Sequence, residues 1–233
     1  MRIYAYPVEI SFVPELVYTD RMKVTKLGHC CLVIDIRSVR FLTDPGSYTT
    51  AQNEVKKINY VVISHEHSDH LHVESLKTVL TNNPEAKVIC NASVGKILDK
   101  EGISYVKVGD GDSKEFSGVT ISGHGTEHKQ IFRDYELVEN TGYFFDGLLY
   151  NPGDAFHNPG VPVDILALPV TGPWCTIAEA MEFVLEIKPR IAFPVHDGNL
   201  VRQTGITVRL PGLFLPPEGI QFHALELGKE TDL

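Results

Sequence analysis

The stretch Ser64-His65-Glu66-His67-Ser68-Asp69-His70 gathers three imidazoles and the Asp69 carboxylate directly behind the apolar run from Ile58 to Ile63. Imidazole and carboxylate are donors that suit Zn²⁺, Fe²⁺ and Mn²⁺. On an extended backbone His65 and His67 point the same way. Asp69 and His70 follow at a turn and can aim at a second ion beside the first. A solvated loop ahead of a helix would account for Ser68 and Asp69, which are ordinary capping residues. It gives no reason for the three histidines, so the stretch predicts a metal site.

Three further polar groups share one context, because each follows the end of an apolar strand pattern. They are His124, Asp154 and His196. Reactive residues gather where strands end in α/β folds, so a common position predicts that these groups meet. Two histidines compete for the place after the strand at 114–122. His124 stands between Gly123 and Gly125, which let a backbone turn tightly and approach an ion closely. His128 sits among Glu127, Lys129 and Gln130, company typical of a solvated loop. The expectation is His124, with His128 at the rim.

The elements that must position these groups can be read from periodicity. Val24–Ile36 and Val39–Thr43 read as a two-stranded hairpin turning at Arg37-Ser38, and Asp44-Pro45-Gly46 closes it. A helix is expected over Val73–Leu80, stopped near Asn82-Asn83-Pro84. A strand at Lys87–Cys90, a helix at Ser93–Lys100 and a strand at Ser104–Val108 continue an α/β rhythm. Gly109 to Asp112 is a turn, with no helix pattern behind it to make a phosphate loop. Lys114–Ser122 alternates as one strand. Asp146-Gly147 joins Tyr143–Phe145 to Leu148–Tyr150, a strong hairpin signal. Val163–Pro169 is an apolar strand. Thr176 and Glu179 fit a capping box for a helix that runs to Pro189. Ile191–Val195 is a strand delivering His196. The remainder, with Pro211, Pro216 and Pro217, reads as a loop and a final strand over Ile220–Leu227. Residues 1–21, broken by Pro7 and Pro14 ahead of Met22, read as an extension or edge segment before a domain spanning 22–233.

Composition sets outer bounds. The chain has 233 residues, is 43% hydrophobic and 22% charged, and carries a net charge of −9, an ordinary globular balance. No run of apolar residues is long enough to span a bilayer, and no basic-then-apolar leader opens the chain. An acidic chain is a poor non-specific binder of nucleic acid or anionic membrane. Cys30, Cys31, Cys90 and Cys175 show no Cys-x-x-Cys spacing and read as buried free thiols in a reducing, cytoplasmic compartment. The sequence leaves open a homo-oligomer.

His65-x-His67-x-Asp69-His70 after a strand resembles the signature of the metallo-β-lactamase superfamily. Leu27-Gly28-His29, His124-Gly125, Tyr150-Asn151-Pro152-Gly153-Asp154 and Pro194-Val195-His196 are similar to its ascorbate-phosphate lactonase-like group of metal-dependent hydrolases. The resemblance covers roughly residues 22–227 and implies a four-layer αββα sandwich. It implies that His65, His67 and His124 hold one divalent ion, that Asp69, His70 and His196 hold another, and that Asp154 bridges them. Zn²⁺ is the implied metal, with Mn²⁺ or Fe²⁺ as alternatives. Asp44 is implied to support the metal loop from behind, and His29 to act in the pocket, either on the substrate or by supporting a ligand from behind. Ala155 and Asp197 depart from the residues frequent in the group. The implied chemistry is attack by a metal-bridging hydroxide, oriented by Asp69, on a small anionic ester, lactone or phosphodiester. A phosphodiesterase or nuclease, and a non-catalytic metal-binding or small-molecule sensor on the same fold, are the alternatives. His72 is expected on the exposed side of its helix; His157 and Trp174 are candidates for the pocket mouth.

Overall fold

In a computed structural model of the chain, described for residues 22–133, 135, 137–200 and 205–233, fourteen strands form two seven-stranded sheets. The expected extension at 1–21 lies outside the described residues. The first sheet runs β14-β1-β2-β3-β4-β5-β6, built from Glu230–Asp232, Lys23–Gly28, Cys31–Ile36, Val39–Thr43, Tyr60–Ile63, Lys87–Cys90 and Tyr105–Lys107. The second runs β13-β12-β11-β10-β9-β8-β7, from Gln221–Phe222, Ile191–Val195, Ile165–Pro169, Leu149–Asn151, Gly142–Phe145, Val119–His124 and Ser113–Phe116. Both sheets are mixed: β3 to β6 are parallel, as are β10 to β13.

Three apolar clusters define the layers. One lies between the sheets and includes Val24, Ile34, Phe41, Ile121, Phe145, Ala167 and Phe193. A second packs the outer face of the first sheet against α1 (Val73–Asn82) and α2 (Ala92–Lys100). The third packs the second sheet against α3 (Ile177–Ile187) through Ala180, Phe183 and Val184. Helix, sheet, sheet, helix is the αββα sandwich. Strands buried on both faces explain why β4, β11 and β12 read as continuous apolar runs rather than alternating ones.

Three stretches differ from expectation, each for a local reason. Val24–Ile36 is not one strand: Gly28 at φ 147° and His29 at φ 53° turn the chain between β1 and β2. Lys114–Ser122 is a hairpin, with Ser117 and Gly118 in the positive-φ pair of a tight turn, and the strand after it continues to His124. The C-terminal region holds α4 (Ile206–Phe214), with Pro211 inside it; the strand expected over Ile220–Leu227 shrinks to β13, and β14 follows it in the first sheet. Proline argues against a helix interior through its missing N–H and its ring; here one position does not outweigh the packing of Val208 and Pro211, both buried.

Candidate metal centre

The parallel strands of both sheets end on the same side, and their following loops carry the site. β4 leads into Ser64 to His70. The segment below that loop is Thr43 to Gly46: Ser47 N–H donates to Ser68 O (2.9 Å) and His72 N–H to Pro45 O (3.1 Å). Gly46 is required by this crossing, since a Cβ there would lie 1.7 Å from Asp69 O. From the second sheet, β10 leads to Asp154, β11 to Thr171 and Trp174, and β12 to His196.

Two four-residue groups of ligating atoms result, beside a smaller one of Cys30, His70 and Asp154. His65, His67, His128 and Asp154 offer atoms within 4.8 Å of one another, and so do His29, Asp69, His70 and His196. Asp154 lies between them. Its Oδ1 is 3.1 Å from His70 Nε2, while its Oδ2 is 2.9 Å from His196 Nε2, 3.4 Å from His128 Nε2 and 3.8 Å from His65 Nε2. Trp174 donates its indole N–H to Asp154 Oδ2 at 2.8 Å.

The imidazoles are held from behind. His65 Nδ1 is 3.0 Å from Ser64 Oγ, His70 Nδ1 is 3.1 Å from Asp44 Oδ2, and the Nδ1 atoms of His128 and His196 are each 2.5 Å from a backbone carbonyl, of Lys129 and Thr171 respectively. A ring that donates from Nδ1 carries its lone pair on Nε2. Those Nε2 atoms, together with Asp154 Oδ1, are buried and have no hydrogen-bond partner. Four converging imidazole lone pairs and a carboxylate oxygen left unpaired in the interior would be costly. Divalent metal ions held there would satisfy them, so the residues fit a metal. Asp44 also accepts from Ser64 N (2.8 Å) and Ser64 Oγ (3.0 Å), fixing the start of the loop.

Charge follows the same geometry. Burial pushes His65 well below the usual imidazole range, with His70 adding to the effect, and lowers His67 as well. Burial also opposes charge on His70 and His196, yet the neighbouring carboxylates outweigh it and raise both. Burial resists ionisation of Asp69, but the hydrogen bond from His29 and the surrounding imidazoles bring its carboxyl down to about 2.

One expected ligand is misplaced. His124 is the last residue of β8, paired with Gly142. It shares the parity of Thr120 and Ser122, so its ring turns to the outer face, edge-on to Phe144 and Tyr150, with Nε2 3.0 Å from Ser122 Oγ. It does not join the cluster. Past Gly125 (φ 79°) the chain folds into a loop in which Glu127 bridges Glu139, and that turn carries His128 inward until it is 2% exposed. The signal in the sequence was parity: His124 continues the polar face of its strand.

Of the two roles open to His29, the structure places it in the supporting one. It is buried behind the site, receiving Gly198 N–H at Nδ1 (3.1 Å) and lying 3.1 Å from Asp69 Oδ2 through Nε2. It holds Asp69 rather than lining the cleft. His72 caps α1 and is exposed, as expected. Trp174 lines the cleft above the cluster, while His157 lines a neighbouring one. Cys30, Cys31, Cys90 and Cys175 are free and buried.

An αββα sandwich carrying two carboxylate-linked histidine groups at the strand ends defines a class, the metal-dependent hydrolases. Residues 23–196 match the Beta-lactamase superfamily domain, and the chain belongs to the metallo-β-lactamase superfamily. It is 31% identical over 181 residues to Protein Rv0786c of Mycobacterium tuberculosis, covering 76% of this chain and 84% of that one. It is 25% identical to the UPF0173 metal-dependent hydrolase Ta0764 of Thermoplasma acidophilum, with the same two coverages. Among solved structures, the metallo hydrolase Igni18 of Ignicoccus hospitalis shares the fold at a TM-score of 0.72 and 18% identity, covering 91% of this chain and 98% of that one. Among the described residues no helix is long and apolar enough to cross a membrane.

Proposed function

We propose a dinuclear, zinc-dependent hydrolase acting on a small ester, lactone or phosphodiester. His65, His67 and His128 would hold one ion, Asp69, His70 and His196 the other, and Asp154 would bridge them. The observation that carries this reading is the set of orphaned Nε2 atoms arranged around the two oxygens of Asp154.

Two divalent ions bound there supply water activated near neutral pH and an electrophile for the substrate's oxygen. The chain's own residues do the rest. Asp69 lines the cleft and stays ionised, because His29 donates to it from behind. A carboxylate held near 2 stays ionised and is suited to accept a hydrogen bond from the attacking water and orient it. Trp174 fixes Asp154 through its indole N–H and places an apolar ring above it, limiting free water. The protein acts as an enzyme and not a sensor on this reading.

Purified protein loaded with Zn²⁺, Mn²⁺ or Fe²⁺ should bind two ions per chain by elemental analysis. The loaded protein should turn over members of an ester, lactone and phosphodiester panel, and chelation should abolish that activity. A loaded protein inert to the whole panel, or one saturating at a single ion, would overturn the reading.

A further inference from the structure

The cleft over the cluster has a volume of about 490 Å³, within the range of small-molecule sites. Its lining divides by chemistry, with Tyr48, Ser68 and Asn199 as its uncharged polar groups. His67, Asp69, His128, Asp154 and His196 belong to the metal centre. Ile97 from α2, Ile131 and Val138 from the loop after β8, and Pro173 and Trp174 from the loop after β11 converge on the same space. These apolar side chains come from separate segments of the fold. Ile97, Ile131 and Val138 are only half-buried, so each keeps surface for a ligand to cover.

Charge in the cleft is of one sign outside the histidines. Glu66 lines it and accepts a hydrogen bond from Ser93 Oγ. Among the described residues none of those lining the cleft is a lysine or arginine. An anionic group on the body of a substrate would lie against aliphatic side chains and beside Glu66, losing hydration with no cationic side chain among the described lining residues to pair it. An uncharged, apolar body covers those side chains and releases their water.

We propose that the substrate of this site carries, next to its hydrolysable bond, an uncharged aliphatic or aromatic body that lies among Ile97, Ile131, Val138 and Trp174. The inference rests on the hydrolase reading and narrows it. It also revises the anionic substrate expected from the sequence: the positive centre acts on the reacting oxygen, while the walls select the remainder of the molecule.

Trp174 is the single tryptophan of the chain, so its fluorescence reports occupancy of the cleft. The metal-loaded protein is titrated with straight-chain primary amides from acetamide to octanamide. A matched series bears a carboxylate at the far end of each chain. Affinity should rise about two- to fourfold per added methylene until the cleft is filled. Each terminal carboxylate should weaken binding by about tenfold or more. Ile131→Ser and Val138→Ser should flatten the chain-length dependence while metal content stays at the native level. Phenyl esters of the same chain lengths, assayed in parallel, test the hydrolase reading separately. A flat amide series, or tighter binding of the carboxylated series, overturns the inference. A rising amide series with no ester hydrolysed leaves the cleft's preference standing and removes carboxylic esters from the hydrolase reading.

Discussion

Lys26 and Asp197 form an ion pair inside the sandwich, Nζ to Oδ2 2.6 Å, with side chains 2% and 3% exposed. Lys26 belongs to β1 of the first sheet, and Asp197 follows His196 at the end of β12 in the second. The same ammonium donates to Pro194 O at 2.8 Å. His196 between these anchors has φ 58°, a left-handed conformation that a non-glycine residue holds only where its surroundings impose it. Gly198 N–H, donating to His29 Nδ1, ties the loop from a second point. The first sheet therefore grips the loop that presents His196.

Removing one partner of such a pair leaves a charge buried alone. Lys26→Met should lower stability by about 3–5 kcal/mol, seen as a fall in the urea midpoint. The double variant Lys26→Met with Asp197→Leu should recover much of the loss, because an apolar pair has no charge to desolvate. A single variant as stable as the native protein would show that the ion pair does not anchor the loop.

His128 and His124 should separate cleanly on substitution. His128→Ala removes one of the buried imidazoles around Asp154, and metal per chain should fall below two. His124→Ala touches only the outer face, near Phe144 and Tyr150. It should keep both ions and cost about 1 kcal/mol of stability. Elemental analysis of the two variants decides the matter; loss of metal from His124→Ala alone would reverse the assignment.

Asp154→Ala takes a carboxylate away from both histidine groups at once and leaves Trp174 Nε1 without its acceptor. Metal content should drop well below two per chain. Hydrolysis should fall by more than about 100-fold, beyond the loss seen when only an outer partner of a ligand is removed. Retention of two tightly held ions would exclude the bridge.

How much of this was legible in the residues depends on whether the determining signal is local. The metal loop was legible because three histidines in so short a stretch have no structural explanation, whereas Asp44 alone reads as an ordinary turn residue and its place behind the loop came only from the family resemblance. The capping box at Thr176 and Glu179 and the Asp146-Gly147 hairpin are likewise local, and both stand in the structure. His128 was missed because its burial comes from a loop that folds back through the Glu127–Glu139 bridge, a contact no short window contains. The Lys26–Asp197 pair joins residues 171 positions apart and had no signature at all. α4 was hidden by Pro211, a residue type that argues against helix.

Acid should strip the two halves of the site in a fixed order. A proton and a metal ion compete for the same Nε2 lone pair, so metal is released as pH falls through the proton affinity of its ligands. The two histidine groups differ in that affinity. His70 and His196 are raised above the ordinary imidazole value: burial opposes their charge, but Asp154 beside both, and Asp44 beside His70, overcome it. His65 and His67 are lowered, chiefly by burial, and keep their lone pairs to lower pH. The sign is therefore fixed: as pH drops, protons take His70 and His196 first, and the ion shared with Asp69 leaves before the ion shared with His128. Native protein equilibrated from about pH 8 down to about pH 4, bracketing the ordinary imidazole value, should lose metal in two steps by elemental analysis. His196→Ala, confined to the first group, should keep one ion through the upper step. His67→Ala, dependent on the second group, should lose its remaining ion there. If the His67→Ala ion proves the more acid-resistant of the two, the electrostatic asymmetry between the halves of the site is the reverse of the one described.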